Sequence, residues 1–152
     1  MTIAPIVKTV DVKCEPDRAF DLFSQRIGDW WPDKKSIGAS PIKTVVIEAR
    51  AGGRWFERGE DGTETNWGRV LEWAPPSRLL LAWQITAAWA YDPAFETELE
   101  ITFTPLSPGT RVRLEHRNLE RFGDSAEAMA ASLGGGWAGI VDGFTAFAER
   151  QS

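Results

Sequence analysis

The chain has 152 residues, 43% hydrophobic and 26% charged, with a net charge of -5 and a pI near 5.0. That balance argues against nucleic acid or an anionic membrane surface as partner, since both demand a basic field. One cysteine, Cys14, allows neither an intramolecular disulfide nor a thiolate metal cluster, and no apolar run approaches the ~18 residues of a membrane span. Length predicts a single domain over 1–152 with its own core. The N-terminus lacks a basic stretch followed by a long apolar one, so a cytoplasmic location is expected.

Residues 6–13 alternate apolar with polar side chains and are rich in β-branched residues, which predicts a strand. Pro16 then opens a helix whose apolar positions Ala19, Phe20, Leu22, Phe23 and Ile27 keep helical spacing until Gly28. Asp29-Trp30-Trp31-Pro32 makes a bulky corner before a loop with Lys34, Lys35, Gly38 and Pro41. Strand patterns follow over about 42–49, 54–58, 65–73, 78–87, 96–105 and 110–118, divided by turn residues such as Gly52-Gly53, Asp61-Gly62 and Pro75-Pro76. In the last two, Leu99, Ile101 and Phe103 share one face, as do Val112, Leu114 and His116. Glu98, Glu100, Arg111, Arg113 and Arg117 occupy the other face, where cross-strand pairs are expected. Asp124 to Glu127 has the pattern of a capping box. Beyond Gly134-Gly135-Gly136, residues Trp137, Ile140, Val141, Phe144 and Phe147 fall on one helical stripe. Glycines 136, 139 and 143 flank that stripe. Their cost of ~1 kcal/mol each against alanine predicts a close backbone approach or space left open.

Eight tryptophans and eight phenylalanines are spread over these elements. An indole buries roughly 150–250 Å² and wants a partner for its N–H, so a domain of this size puts the excess on a surface or around a cavity. Recognisable catalytic chemistry is scarce by comparison. His116 is the sole histidine, which excludes a multi-histidine metal site. No nucleophile elbow, P-loop or dinucleotide fingerprint is present. The triple glycine offers a helix N-terminus that could hold an anion. His116, placed by parity on the apolar face, is either a general acid–base in a cavity or a buried histidine bonded internally.

Several segments together carry a family resemblance. These are Pro16-Asp17-Arg18-Ala19-Phe20-Asp21-Leu22-Phe23 running to the Trp30-Trp31-Pro32 corner, Gly52-Gly53-Arg54-Trp55, Trp67-Gly68-Arg69-Val70, Pro75-Pro76-Ser77-Arg78-Leu79, Gly109-Thr110-Arg111-Val112 and Gly136-Trp137. In that order they resemble the START-like, Bet v 1-type superfamily, and within it bacterial proteins similar to the C-terminal domain of the heat-shock protein 90 ATPase activator. The resemblance spans nearly the whole chain. It implies an α+β helix-grip fold, a curved antiparallel sheet wrapped around a long C-terminal helix, with short helices after the first strand. It also implies a cavity for a small hydrophobic ligand, aromatic or lipid-like, with no metal and no cofactor.

The pocket expected on this basis is Trp30, Trp55, Trp83, Phe103, Leu114, His116, Trp137, Val141 and Phe144. Binding without catalysis is the leading expectation. The alternatives are a cyclase- or hydratase-like enzyme using His116, and a co-chaperone-like or homodimeric module that makes contact through Trp89 to Phe95.

Overall fold

Alternation of apolar and polar side chains decides the sheet in the computed structural model, which describes residues 2–151. On β6 (Thr97–Pro105) and β7 (Thr110–Arg117), Leu99, Ile101 and Phe103 lie opposite His116, Leu114 and Val112, and all six are buried. On the reverse face Arg117 reaches Glu98 at 3.0 Å and Glu100 at 2.9 Å. β1 (Ile6–Val12) pairs along the free side of β7. Beyond β6 the sheet continues through β5 (Arg78–Trp83), β4 (Glu64–Ala74), β3 (Arg54–Gly59) and β2 (Ile42–Ile47). The described strands form one antiparallel sheet in the order β1-β7-β6-β5-β4-β3-β2.

Bulges between Ile42 and Thr44, between Trp55 and Phe56, and between Val70 and Glu72 bend the β2–β4 half. The sheet therefore curls into a half-barrel, and its concave face is closed by α1 (Pro16–Ser24), α2 (Ile27–Trp30) and the long α3 (Ala126–Gln151). This is the helix-grip architecture that the resemblance implies. No helix among the described residues is long and apolar enough to cross a membrane.

Four local expectations need correction. Gly28 does not end the first helix, which stops at Ser24; it lies inside α2, packed so close to β2 that a Cβ there would sit 1.9 Å from Thr44 Oγ1. The strand expected over 78–87 ends at Trp83, because the chain leaves the ladder at Gln84 and returns through one bridge, Ile85 to Tyr91. Asp124 falls in a 3₁₀ turn, Leu119–Ser125, that leads into α3. The triple glycine sits within α3 and not before it, so no helix N-terminus exists there to hold an anion.

Five glycines in one helix cost about 1 kcal/mol each against alanine. The helix survives because its other face buries Met129, Leu133, Trp137, Ile140, Phe144 and Phe147, at about 1.5–3 kcal/mol for each large apolar side chain. Close approach explains few of these glycines. A Cβ at Gly143 would meet the Trp30 carbonyl oxygen at 3.5 Å, whereas one at Gly134, Gly135 or Gly139 would meet nothing within 4 Å.

Gly68 is different. It pairs with Trp55 on one side and Trp83 on the other, and a Cβ there would lie 1.8 Å from the Ala82 carbonyl oxygen. The missing side chain lets β4 and β5 close beneath two indoles. Gly68→Ala is therefore expected to destabilise the protein by about 1–3 kcal/mol in urea unfolding, while Gly139→Ala stabilises it by about 0.4–1 kcal/mol. Equal effects of the two changes would contradict this packing.

Candidate functional site

Aromatic rings on the concave face divide into two groups that meet at the Trp30-Trp31 corner, where the ring centroids are 6.0 Å apart. The first is solid core. Phe23 stacks against Trp30, Phe103 and Phe144 at 5.1, 6.0 and 5.1 Å, and the Trp30 indole N–H donates to the Leu22 carbonyl at 2.9 Å. The second surrounds open space. Trp31, Trp67, Trp83 and Trp137, with Trp89 at the mouth, wall a half-enclosed cavity of about 230 Å³ between the sheet and α3. Ile37, Ile85, Leu133 and Ile140 fill in the apolar wall, and Lys34, Lys35, Ser36 and Ser132 supply its polar groups.

Of the nine residues expected in the pocket, the structure brings Trp83 and Trp137 to this cavity. Trp55 stands one layer behind, edge-on to Trp67 and Trp83 at 5.5 and 5.8 Å. Trp30, Phe103 and Phe144 belong to the solid cluster, and Leu114 and Val141 are buried away from the cavity wall. His116 also lies behind the wall, with no exposed surface.

Its surroundings define its chemistry. The Trp137 indole can only donate, and its Nε1–H points at His116 Nδ1 from 3.0 Å. Nδ1 is therefore an acceptor, the ring proton is on Nε2, and Nε2–H donates to Thr97 Oγ1 at 2.8 Å. Both ring nitrogens are occupied. Burial holds the histidine neutral, pushing its pKa down to about 3. Between Trp83 and Trp137, at centroid distances of 5.1 and 6.0 Å, it ties α3 to β7 and β6 and fixes how the Trp137 ring faces the cavity.

The opposite wall depends on Glu57, which is 1% exposed on β3. Its Oε1 accepts from the Ile37 and Gly38 backbone N–H groups at 2.6 and 3.1 Å and from the Trp67 indole at 2.9 Å. One carboxyl thus holds both the 36–38 loop and a cavity tryptophan. Trp31 completes the anchoring by donating to the Lys35 carbonyl at 2.8 Å. Glu57 Oε2 and Trp55 Nε1, two residues apart on β3, have no partner among the described residues.

Sequence reasoning missed Glu57, yet its signal was present, because Glu57 has the strand parity of the inward-facing Trp55. It also missed Trp31, Trp67 and the Lys34-Lys35-Ser36 stretch as cavity walls. Trp67 stands on β4, but Trp31 and the lysines reach the cavity only through the fold of the 31–41 loop, which no periodicity records.

A half-barrel gripping one long helix, with an aromatic cavity between them, defines a helix-grip domain of the Bet v 1-like superfamily. The chain belongs within it to the family described as "Activator of Hsp90 ATPase homolog 1-like protein", whose sequence pattern matches residues 13–149. Among solved structures it is similar to an anthrahydroquino-γ-pyrone synthase, Txn09, with 37% identity, a TM-score of 0.61 and coverage of 87% of this chain and 88% of that one. Protein MLL2253 from Mesorhizobium loti shares the fold at a TM-score of 0.72, with 16% identity over 98% of this chain and 99% of its own. The Aha1 dimer from Colwellia psychrerythraea does so at 0.67, with 14% identity over 97% of each chain. No curated protein matches the chain significantly.

The buried histidine makes folding pH-dependent in a defined direction. The unfolded chain takes up a proton near pH 6.5 and the folded one near 3, so stability falls as pH drops from about 6.5 towards 3. The part above pH ~5 precedes ordinary carboxylate titration. His116→Gln is expected to flatten the melting temperature between about pH 6.5 and 5, even though the variant is less stable at neutral pH. An unchanged profile would show that His116 is not held neutral by the fold.

Proposed function

We propose that the protein binds a small planar aromatic molecule in the cavity between its sheet and α3, without a chemical step. One observation carries this reading. Five of the eight tryptophans, Trp31, Trp67, Trp83, Trp89 and Trp137, line a single open space of about 230 Å³. An apolar cavity of about 150 Å³ accommodates benzene, so this one suits a molecule of one or two fused rings. Indole faces and edges on several sides favour a flat guest through offset and edge-to-face contacts. Membership of a superfamily that commonly binds hydrophobic ligands supports the same reading.

A second reading is conversion of a polyketide-like aromatic substrate, favoured by the 37% identity to a synthase. In that reading the work does not fall to His116, whose ring nitrogens are engaged by Trp137 and Thr97. It falls to the polar groups on the cavity wall, Lys34, Lys35, Ser36 and Ser132. Contact through the Trp89 segment is a lesser possibility, since the 44%-exposed Trp89 ring stands at the cavity mouth.

Filling the cavity tests the binding reading. Gly136 lines it from mid-helix, and a Cβ there meets no backbone. Gly136→Leu should therefore leave the fold at least as stable, by helix propensity. It should also weaken calorimetric binding of 2-naphthamide, a neutral two-ring probe, by at least about tenfold. Equal affinity in the variant would place the guest elsewhere, and no heat with the unmodified protein would contradict the reading.

A further inference from the structure

We infer that the natural guest carries an anionic group on its aromatic ring system, a carboxylate or phenolate, held at the cavity mouth by Lys34 and Lys35. This rests on the reading that the cavity binds a small aromatic molecule and specifies the chemical class of that molecule.

Ion pairs engage the arginines of the sheet, whereas Lys8, Arg18, Lys43, Arg121 and Arg150 have none among the described residues and stand away from the cavity wall. Every arginine of the sheet strands has a carboxylate within ion-pair distance. Arg54 and Arg58 meet Glu64, Arg69 meets Glu96, Arg78 meets Glu72 and Glu100, Arg111 meets Asp11, Arg113 meets Glu115, and Arg117 meets Glu98. All of this lies on the solvent side of the sheet. Lys34 and Lys35 have no ion-pair partner among the described residues, and the wall they share holds no aspartate or glutamate. A chain of net charge -5 thus presents two adjacent unpaired cations at its aromatic cavity.

The backbone beneath them is fixed, so the lysines do not sit on a loose loop. Trp31 donates to the Lys35 carbonyl, and Glu57 accepts the N–H groups of Ile37 and Gly38 just beyond. On the facing helix a Cβ at Gly136 would stand 3.5 Å from Lys35 Nζ. The Lys35 side chain is exposed, yet its ammonium lies against α3 at the cavity mouth, where a glycine leaves the space beside it clear. An ammonium beside tryptophan walls, with the Ser36 hydroxyl nearby, is a receptor for an oxyanion attached to a flat apolar body. A neutral hydrocarbon would use the indoles and leave both charges without a role.

The experiment compares two probes of one shape, 2-naphthoate and 2-naphthamide, by calorimetry against the unmodified protein and the Lys34→Met/Lys35→Met double variant. Methionine keeps the unbranched apolar stem of lysine, one atom shorter, and removes the charge. The expected result is about tenfold tighter binding of the naphthoate at low salt, as for a hydrogen bond to a charged group. That preference should shrink as salt screens the exposed lysines. It should vanish in the double variant, which binds the two probes equally.

Equal binding of the two probes, or a preference that survives in the double variant, would overturn the inference while leaving the aromatic cavity intact. If neither probe binds the unmodified protein, the cavity reading fails and the inference fails with it. Loss of amide binding in the double variant would show that the lysines shape the cavity and do not read charge, which also overturns the inference.

Discussion

A buried indole N–H is costly to leave without an acceptor, and the way Trp137 finds one organises the rest of the molecule. Leaving such a donor unpaired in the interior costs about 1–3 kcal/mol, and the apolar stripe of α3 offers nothing to accept it. His116 on β7 does so at 3.0 Å, and passes the requirement on to Thr97 of β6 at 2.8 Å. The chain works only with histidine neutral and its proton on Nε2. Two strands and the helix that follows them are locked by two hydrogen bonds, and the Trp137 ring is left facing open space instead of collapsing into it. The one histidine is thus the tie that keeps the cavity wall upright.

A second tie performs the same task across the cavity. Glu57 is a carboxyl on an inward-facing strand position, an expensive place for one. Its three donors, two backbone amides and the Trp67 indole, join the loop after the tryptophan corner to the β3–β4 half of the sheet. Both buried polar groups act through tryptophan N–H groups. This accounts for two of the eight tryptophans, because a phenylalanine in either place could wall the cavity but could not be pinned. Rings that are pinned at one end keep a void that ordinary side-chain packing would close. The outer face of the sheet, by contrast, is held by ion pairs at its arginines, each contributing modestly in solvent.

The architecture was legible because it rests on period and punctuation. Alternation on β6 and β7 placed His116 and Leu114 inside and the glutamates outside, and the C-terminal stripe identified the helix that covers them. Proline and glycine turns marked nearly every connection. The cavity was legible only in part. Parity could say that Trp83 and Trp137 face inward, but it could not separate rings that fill the core, such as Phe103 and Phe144, from rings that border a void. That distinction depends on bulges that bend β2 to β4 and on a loop folded back over the sheet, and both are tertiary. The triple glycine misled for a related reason. Glycine's cost in a helix is real, but burial of Leu133, Trp137 and Ile140 outweighs it.

The most direct test of the central claim is a proton–nitrogen correlation spectrum of the eight indole N–H groups as 2-naphthamide is added. The account predicts that the signals of the cavity indoles Trp31, Trp67, Trp83, Trp89 and Trp137 move together and saturate. Trp73, which packs instead against Phe20 at 4.9 Å, should stay in place. Indole signals that do not respond, or changes centred on Trp73, would contradict a ligand cavity between the sheet and α3.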